Sequence, residues 1–179
     1  MELGVLQPVP AVTADRKSDM QMTKPSVYVE TTVIGHLAAR LQPDPVVAGR
    51  QLVTREWWKV APDQFRLIVS QLVAEECAAG DSEAAAERLA FVKTLELVQA
   101  SQDAMLLAAK LHYASAIPSS QPRDALHISI AATNGIEFLV TWNFKHIANG
   151  ITRGLIEDTC REFGWEPPRI CTPDELLEV

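Results

Sequence analysis

Cysteine is scarce in this chain of 179 residues, which contains Cys77, Cys160 and Cys171 and no others. The number is odd and no two of them have CxxC spacing, so the pattern argues against a secreted disulfide framework and against a zinc ribbon. The four histidines lack HxH and HExxH spacing, which also argues against a zinc site. We therefore expect a protein of the reducing cytoplasm.

Glycine is scarce as well, with eight residues. They form neither GxGxxG nor GxxxxGKS/T, so the sequence offers no dinucleotide-binding turn and no P-loop. The GxSxG turn of the α/β-hydrolases is also absent. What remains is the chemistry of carboxylate and amide oxygens, which bind hard cations such as Mg²⁺.

Positive charge is in deficit, because 16 basic residues face 23 acidic ones and the formal net charge is -7. A chain of this charge does not bind nucleic acid by general cationic attraction. The acidity is uneven, since residues 122–149 hold two acids and two bases and are neutral. No apolar run reaches the roughly 20 residues that cross a bilayer, so we expect no membrane association.

Short β-branched runs alternate with longer helical stretches from residue 26 onward, which is typical of an α/β domain around a parallel sheet. The predicted strands are 26–29, 65–69, 95–98, 138–141 and 169–172. Apolar residues at helical spacing predict two amphipathic helices, over 104–111 and 125–132. We expect residues 1–24 to form a flexible N-terminal extension and residues 25–179 to form one domain. Translation from Met20 or Met22 is an alternative start.

Oxygen-bearing side chains recur near the predicted strand ends. They are Glu30 after the first strand, Glu75 and Glu76 after the second, Asp124 in the first turn of a helix, and Asn143 after the fourth strand. Each has a local explanation as a helix cap, a partner of the helix dipole or a solvated charge. Because ligands of open parallel sheets bind beyond the carboxyl ends of the strands, their recurrence there favours a cation site.

The same segments resemble, in order, the motifs of PIN-domain proteins, especially VapC-like toxins. The segments are VYVETT at 27–32, SQLVAEE at 70–76, DALHI at 124–128 and LVTWNFKH at 139–146. The resemblance spans about residues 26–175. It implies an α/β fold, a PIN-like three-layer sandwich with a central, mostly parallel sheet flanked by helices. It also implies RNA cleavage with Mg²⁺ or Mn²⁺ held by acidic residues.

The resemblance assigns roles to individual residues. Glu30 matches the first acid, which is most often aspartate in the family, and Glu76 matches the second better than Glu75 does. Asp124 matches the third acid, and Asn143 occupies the fourth position, where many members have aspartate. These four are the predicted catalytic residues, and the first three are the predicted metal ligands.

Further residues near the motifs are predicted to bind substrate or to support the site. Thr32 matches a small hydroxyl residue that supports the first acid by hydrogen bonding. Arg123, Lys145 and His146 would contribute cationic contacts to RNA. With Thr32 they form the predicted substrate-binding set.

The sequence therefore predicts a divalent-metal-dependent endoribonuclease, the toxin of a toxin-antitoxin pair. For a toxin, the resemblance implies an antitoxin protein that covers the site, and often a homodimer. One alternative is a PIN-like module that binds RNA or a protein partner without cutting, which the atypical Glu30 and Asn143 motivate. Another is a metal-dependent DNA nuclease or phosphatase, which the same acids permit.

Overall fold

A computed structural model describes residues 24–177 of the chain, and the extension predicted over residues 1–24 lies outside the described residues except for Lys24. The strands are β1 Ser26–Val29, β2 Arg66–Ser70, β3 Glu96–Val98, β4 Phe138–Val140 and β5 Arg169–Cys171. They form one sheet in the order β3-β2-β1-β4-β5, in which every neighbouring pair is parallel. The predicted parallel sheet is confirmed.

Helices connect all the strands. Within the described residues they are α1 Thr31–Ala38, α2 Pro45–Gln64, α3 Gln71–Ala78, α4 Ser82–Val92, α5 Gln102–Tyr113, α6 Pro122–Thr133 and α7 Arg153–Glu162. Helix α1 contacts α2, α3 and α4, whereas α5 contacts α6 and α7. Because crossovers between parallel strands are right-handed, these two groups lie on opposite faces of the sheet. The predicted three-layer α/β sandwich is therefore confirmed.

The observed strands lie where the sequence places them, with bounds shifted by single residues. Strand β2 begins at Arg66 because the backbone N–H of Phe65 donates to the carbonyl of Ala61 at 2.8 Å and so ends α2. The predicted helices 104–111 and 125–132 lie within α5 and α6. Local apolar patterns therefore place the elements correctly.

The core lies on both faces of the central strand. All four residues of β1 are buried, and Tyr28, Trp57 and Leu139 have no solvent exposure. Continuous burial is expected of a parallel strand covered by helices on both sides. The three cysteines are free and buried in this interior, and burial raises the pKa of Cys77 to about 11. Across residues 24–177, no helix has the length and apolarity to span a membrane.

The chain reverses its path across the sheet between β1 and β4. Strand β1 leads to β2 on one side, and β4 leads to β5 on the other. In open α/β sheets, the crevice beyond the carboxyl ends of two such strands is the usual place for a ligand. The register pairs Val29 with Val140, so Glu30 and Thr141 follow at the same level. Two of the predicted site segments are therefore adjacent.

Helix α2 depends on a side-chain cap from the residue that precedes it, Asp44. Oδ1 of Asp44 accepts hydrogen bonds from the backbone N–H groups of Val46 and Val47, both at 2.9 Å. We expect Asp44→Ala to lower the free energy of unfolding by about 1 kcal/mol in urea titrations followed by circular dichroism. Asp63→Ala removes an exposed acid near the other end of the helix, where the dipole disfavours negative charge, and should cause no loss. Equal losses would contradict the capping role.

Candidate active site

Glu30 lies at the carboxyl end of β1 and is buried, with 3% exposure. Its Oε2 accepts hydrogen bonds from the backbone N–H of Thr32 at 3.1 Å, from the Thr32 hydroxyl, and from the Thr141 hydroxyl at 2.7 Å. Within residues 24–177, Oε1 has no hydrogen-bond partner. The first interaction caps α1. The carboxylate is thus held through one oxygen while the other is left for a ligand.

Glu76 lies on α3 and is held in a similar way. Its Oε2 accepts a hydrogen bond from the Thr31 hydroxyl and lies 3.0 Å from Nε2 of His127. Its Oε1 is 3.5 Å from a guanidinium nitrogen of Arg123, whose side chain is 61% exposed. The neighbouring Glu75 is exposed. Helix α3 therefore turns Glu76, not Glu75, toward the carboxyl end of β1.

Glu30, Glu76 and His127 converge, and one candidate ligand atom from each lies within 4.8 Å of the others. Each carboxylate is fixed by hydroxyl donors through Oε2, and Oε1 forms either no hydrogen bond or one long one. Two adjacent carboxylates repel each other, and a cation between them relieves the repulsion. Oxygen donors are the ligands that Mg²⁺ prefers. The two glutamates therefore fit a divalent cation.

Asp124 and His146 form a second pair. Oδ2 of Asp124 lies 2.7 Å from Nδ1 of His146, and the two side chains are 15% and 13% exposed. Asp124 lies three residues before His127 on α6, so the two share one side of that helix. It is nevertheless not part of the 4.8 Å group around Glu30 and Glu76. The structure thus places Asp124 next to a histidine rather than among the glutamates.

The remaining predicted site residues fall into two groups. Asn143 uses its side-chain carbonyl locally, because Oδ1 accepts a hydrogen bond from the backbone N–H of His146 at 3.2 Å. The Thr32 hydroxyl donates to Glu30 and accepts a hydrogen bond from the backbone N–H of Trp142. Arg123 and Lys145 are exposed, and Lys145 forms no side-chain hydrogen bond to another described residue. Arg123 precedes Asp124 and Lys145 precedes His146 in the sequence. Arg123 contacts Glu76, whereas Lys145 is left to meet a ligand.

Comparisons with known proteins identify the fold that carries this site. No protein-family model and no curated protein matches the sequence. VapC20 of Mycobacterium tuberculosis, described as a toxin that cleaves the sarcin-ricin loop, matches with a TM-score of 0.53 and 15% identity over 70% of this chain and 95% of its own. VapBC2 of Rickettsia felis, bound to a promoter DNA fragment, matches with 0.53 and 13% identity over 82% and 97%.

The chain has a VapC-like PIN-domain fold. The resemblance that the motifs indicate is confirmed by these structural neighbours. The alignments span nearly all of each neighbouring chain. At 13% and 15% identity the similarity shows the fold alone, so the roles of individual residues rest on the geometry of the site.

Three polar residues in this PIN-like site had no predicted role. Thr141 donates to Glu30, His127 contacts Glu76, and the Tyr28 hydroxyl lies 2.8 Å from Nδ1 of His127. His127 has a signal in the sequence, because it follows Asp124 by three residues and therefore lies on the same helix face. Tyr28 is the single aromatic residue of strand β1. Its partner cannot be read from local spacing.

Electrostatics at the site depend on burial and on the hydrogen bonds. Burial alone would raise the pKa of Glu76, but hydrogen bonds from His127 and Thr31, together with the electrostatic contributions of His127 and Arg123, outweigh it and lower the pKa. Burial raises the pKa of Tyr28 far above its usual value, although the hydrogen bond with Ser70 opposes the rise. Glu76 is therefore a carboxylate at neutral pH, and Tyr28 keeps its proton.

The lowered pKa of Glu76 predicts a pH-dependent contribution to stability. Its stabilisation is present above the unfolded pKa of about 4.3 and is lost as pH falls through the lower folded pKa. In the presence of a chelator, the stability of the wild type relative to Glu76→Gln should therefore fall between pH 6 and pH 3.5, measured by urea unfolding. The same comparison with Glu75→Gln should show little change. A pH-independent difference for Glu76→Gln would refute the assignment.

Proposed function

We propose that this PIN-like domain is a divalent-metal-dependent endoribonuclease and the toxin of a toxin-antitoxin pair. The observation that carries the proposal is the pair of carboxylates, Glu30 and Glu76, fixed by threonine hydroxyls at the switch point of the sheet. Mg²⁺ or Mn²⁺ bound there would offset negative charge on the phosphoryl oxygens of RNA during hydrolysis. The acidity of the site is then a requirement of the chemistry.

The residues of the site would have separate roles around that cation. Glu30 and Glu76 would hold it, and Asp124, the predicted third acid, would orient water from its place beside His146. The contact with Asp124 fixes the ring of His146, whose Nε2 has no partner within the described residues. That nitrogen is free to exchange a proton or to donate to the substrate. Arg123 and Lys145 would contact RNA phosphates.

The structural neighbours support a toxin role. VapC20 is described as a toxin that cleaves the sarcin-ricin loop, and VapBC2 is described as bound to a DNA fragment from its promoter. We propose that this chain likewise acts on RNA in the cytoplasm and is restrained by an antitoxin. A short open reading frame directly upstream, whose product co-purifies with this chain and blocks RNA cleavage, is the expected finding. Unrestrained cleavage in the presence of that product would contradict it.

A cleavage assay tests the central proposal. The purified chain is incubated with single-stranded RNA, structured RNA and single-stranded DNA, each with Mg²⁺, Mn²⁺ or EDTA. We expect metal-dependent cleavage of at least one RNA, no cleavage in EDTA, and no competition by excess DNA. Intact RNA under both metals would contradict the nuclease, and cleavage of DNA in preference to RNA would favour the DNA nuclease.

Asp124 can be assigned separately. We expect Asp124→Asn to lower the RNA cleavage rate at least tenfold, because the amide keeps the shape of the side chain and loses its negative charge. Asp103→Asn is the matched control, since Asp103 is also a first-turn acid, on α5, but is exposed and forms no hydrogen bond with Glu30, Glu76 or His127. Its rate should equal that of the wild type. Equal rates for the two variants would remove Asp124 from the mechanism.

One arrangement favours a second candidate, a PIN-like module that binds RNA or a protein without cutting. Asp124 is engaged by His146, and the carbonyl oxygen of Asn143 is engaged by a backbone N–H. While these hydrogen bonds are formed, both groups would be less available to a cation. Calorimetric titration with Mn²⁺ distinguishes the candidates, because the nuclease should release or absorb heat and the binding module should be silent.

A further inference from the structure

Behind Glu76 lies a buried chain of three polar side chains. Oγ of Ser70 is 2.6 Å from the Tyr28 hydroxyl, which is 2.8 Å from Nδ1 of His127. Nε2 of His127 is in turn 3.0 Å from Oε2 of Glu76. Ser70, Tyr28 and His127 are at most 1% exposed. Because they are buried away from bulk solvent, these groups have to satisfy one another.

The hydrogen-bond chemistry of these groups fixes a direction for the chain when the imidazole is neutral. A carboxylate oxygen only accepts, so Nε2 of His127 has to carry the proton that faces Glu76. Nδ1 is then an acceptor and receives a hydrogen bond from the Tyr28 hydroxyl. The Tyr28 oxygen receives one from Ser70, whose Oγ also accepts from the backbone N–H of Val73 at 3.3 Å. The polar side-chain atoms of Ser70, Tyr28 and His127 are therefore all hydrogen-bonded.

The opposite tautomer would be unfavourable. It would place the lone pair of Nε2 against the carboxylate oxygen of Glu76 at 3.0 Å, with no proton between them. A phenol that donates to Nδ1 prevents this, because Nδ1 cannot donate to it at the same time. In this arrangement both ring nitrogens of His127 are occupied, so neither is left to bind a metal.

We propose that His127 is a positioning residue for Glu76, held by Tyr28 and Ser70 in the tautomer that is protonated at Nε2, and that it is not a metal ligand. The hydrogen bonds from Ser70 through Tyr28 and His127 fix Oε2 of Glu76 and so leave Oε1 for the cation. This inference rests on the proposed function only in taking Glu76 as the ligand. The histidine thereby adds precision to the site without adding a nitrogen donor.

The first test reads the tautomer directly in the metal-free protein. Long-range ¹H–¹⁵N NMR spectra should show His127 protonated at Nε2, with Nδ1 as a hydrogen-bond acceptor, and His127→Gln identifies its signals by their loss. Tyr28→Phe keeps the ring in the core and removes the donor, so the Nδ1 signal should shift. Tyr113→Phe is the control, because Tyr113 is the other tyrosine and is 91% exposed. A ring protonated at Nδ1, alone or at both nitrogens, would overturn the inference.

The second test reads the metal site. Calorimetry should show Mn²⁺ binding about tenfold weaker in Tyr28→Phe than in the wild type, and unchanged in Tyr113→Phe. Circular dichroism and urea unfolding show that the variants are folded. His127→Gln, which can still donate to Glu76, should retain more Mn²⁺ affinity than His127→Leu. Nitrogen coupling from His127 in pulsed EPR spectra of the Mn²⁺ protein would overturn the inference.

The two hypotheses fail in different ways. If the proposed function is wrong, the wild type neither binds Mn²⁺ nor cleaves RNA. If the positioning role is wrong, the wild type binds Mn²⁺ and Tyr28→Phe binds it equally well, or His127→Gln and His127→Leu lose the same affinity.

Discussion

Replacing Glu76 by glutamine is expected to slow RNA cleavage by about 10²- to 10³-fold, a loss typical for removal of one preorganised electrostatic group. Glutamine keeps the length of the side chain, and its carbonyl oxygen can still accept from Thr31 and His127. The negative charge is lost, however, and the pair of carboxylates becomes a single one. The rate at saturating Mg²⁺ or Mn²⁺ is the measurement, with RNA in excess so that binding does not limit it.

The adjacent residue supplies the matched control. Glu75→Gln is the same chemical change, one position earlier on α3, in a side chain that is exposed and lies near Gln71. We expect its cleavage rate and its Mn²⁺ affinity to equal those of the wild type. If the two variants lose activity equally, the effect comes from the charge of the helix as a whole, and the site assigned to Glu76 is wrong.

The fold follows closely from the sequence because its signals are local. A buried parallel strand needs a short, continuous apolar run, and the five runs are separated by longer stretches with helical periodicity. Glu30 could be placed at a strand end for the same reason, since it directly follows β1. The bounds differ where backbone hydrogen bonds decide them, as at Phe65, whose N–H belongs to α2.

The site follows less closely because its contacts are non-local. Glu76 and His127 are 51 residues apart, and Tyr28 and His127 are 99 apart. Such pairs depend on the order of strands and on the rotation of helices about their axes, which spacing alone leaves open. Asp124 as the third ligand therefore stays a prediction, while the contact of His127, three residues further along α6, with Glu76 could not be read from spacing.

Under the proposed function, the glutamate pair would also allow an acidic protein to act on RNA. Glu30 and Glu76 lie within one 4.8 Å group, and the nearest described cation, Arg123, is largely exposed. The pair therefore repels a phosphate until a metal ion is bound. The domain should bind RNA weakly without metal, and the ion should supply the positive charge that the sequence lacks.

Metal binding should consequently stabilise the fold, and this response should depend on Glu30. A ligand at 100 times its Kd adds about 2.7 kcal/mol to the free energy of unfolding, which corresponds to a rise in Tm of roughly 5–10 °C for a domain of this size. We expect such a rise for the wild type with Mn²⁺, and little or none for Glu30→Gln, which keeps the cap on α1 but loses the charge.

The melting temperatures without metal show in which direction Glu30→Gln changes the stability of the metal-free protein. In EDTA the wild type retains the repulsion between Glu30 and Glu76, whereas Glu30→Gln does not, so the variant should melt at the same temperature as the wild type or higher. Glu75→Gln should keep the full response to Mn²⁺. A Glu30→Gln protein that melts lower in EDTA and still gains the wild-type increment with Mn²⁺ would show that Glu30 serves α1 alone, because a carboxylate needed only as a helix cap has no reason to respond to a cation.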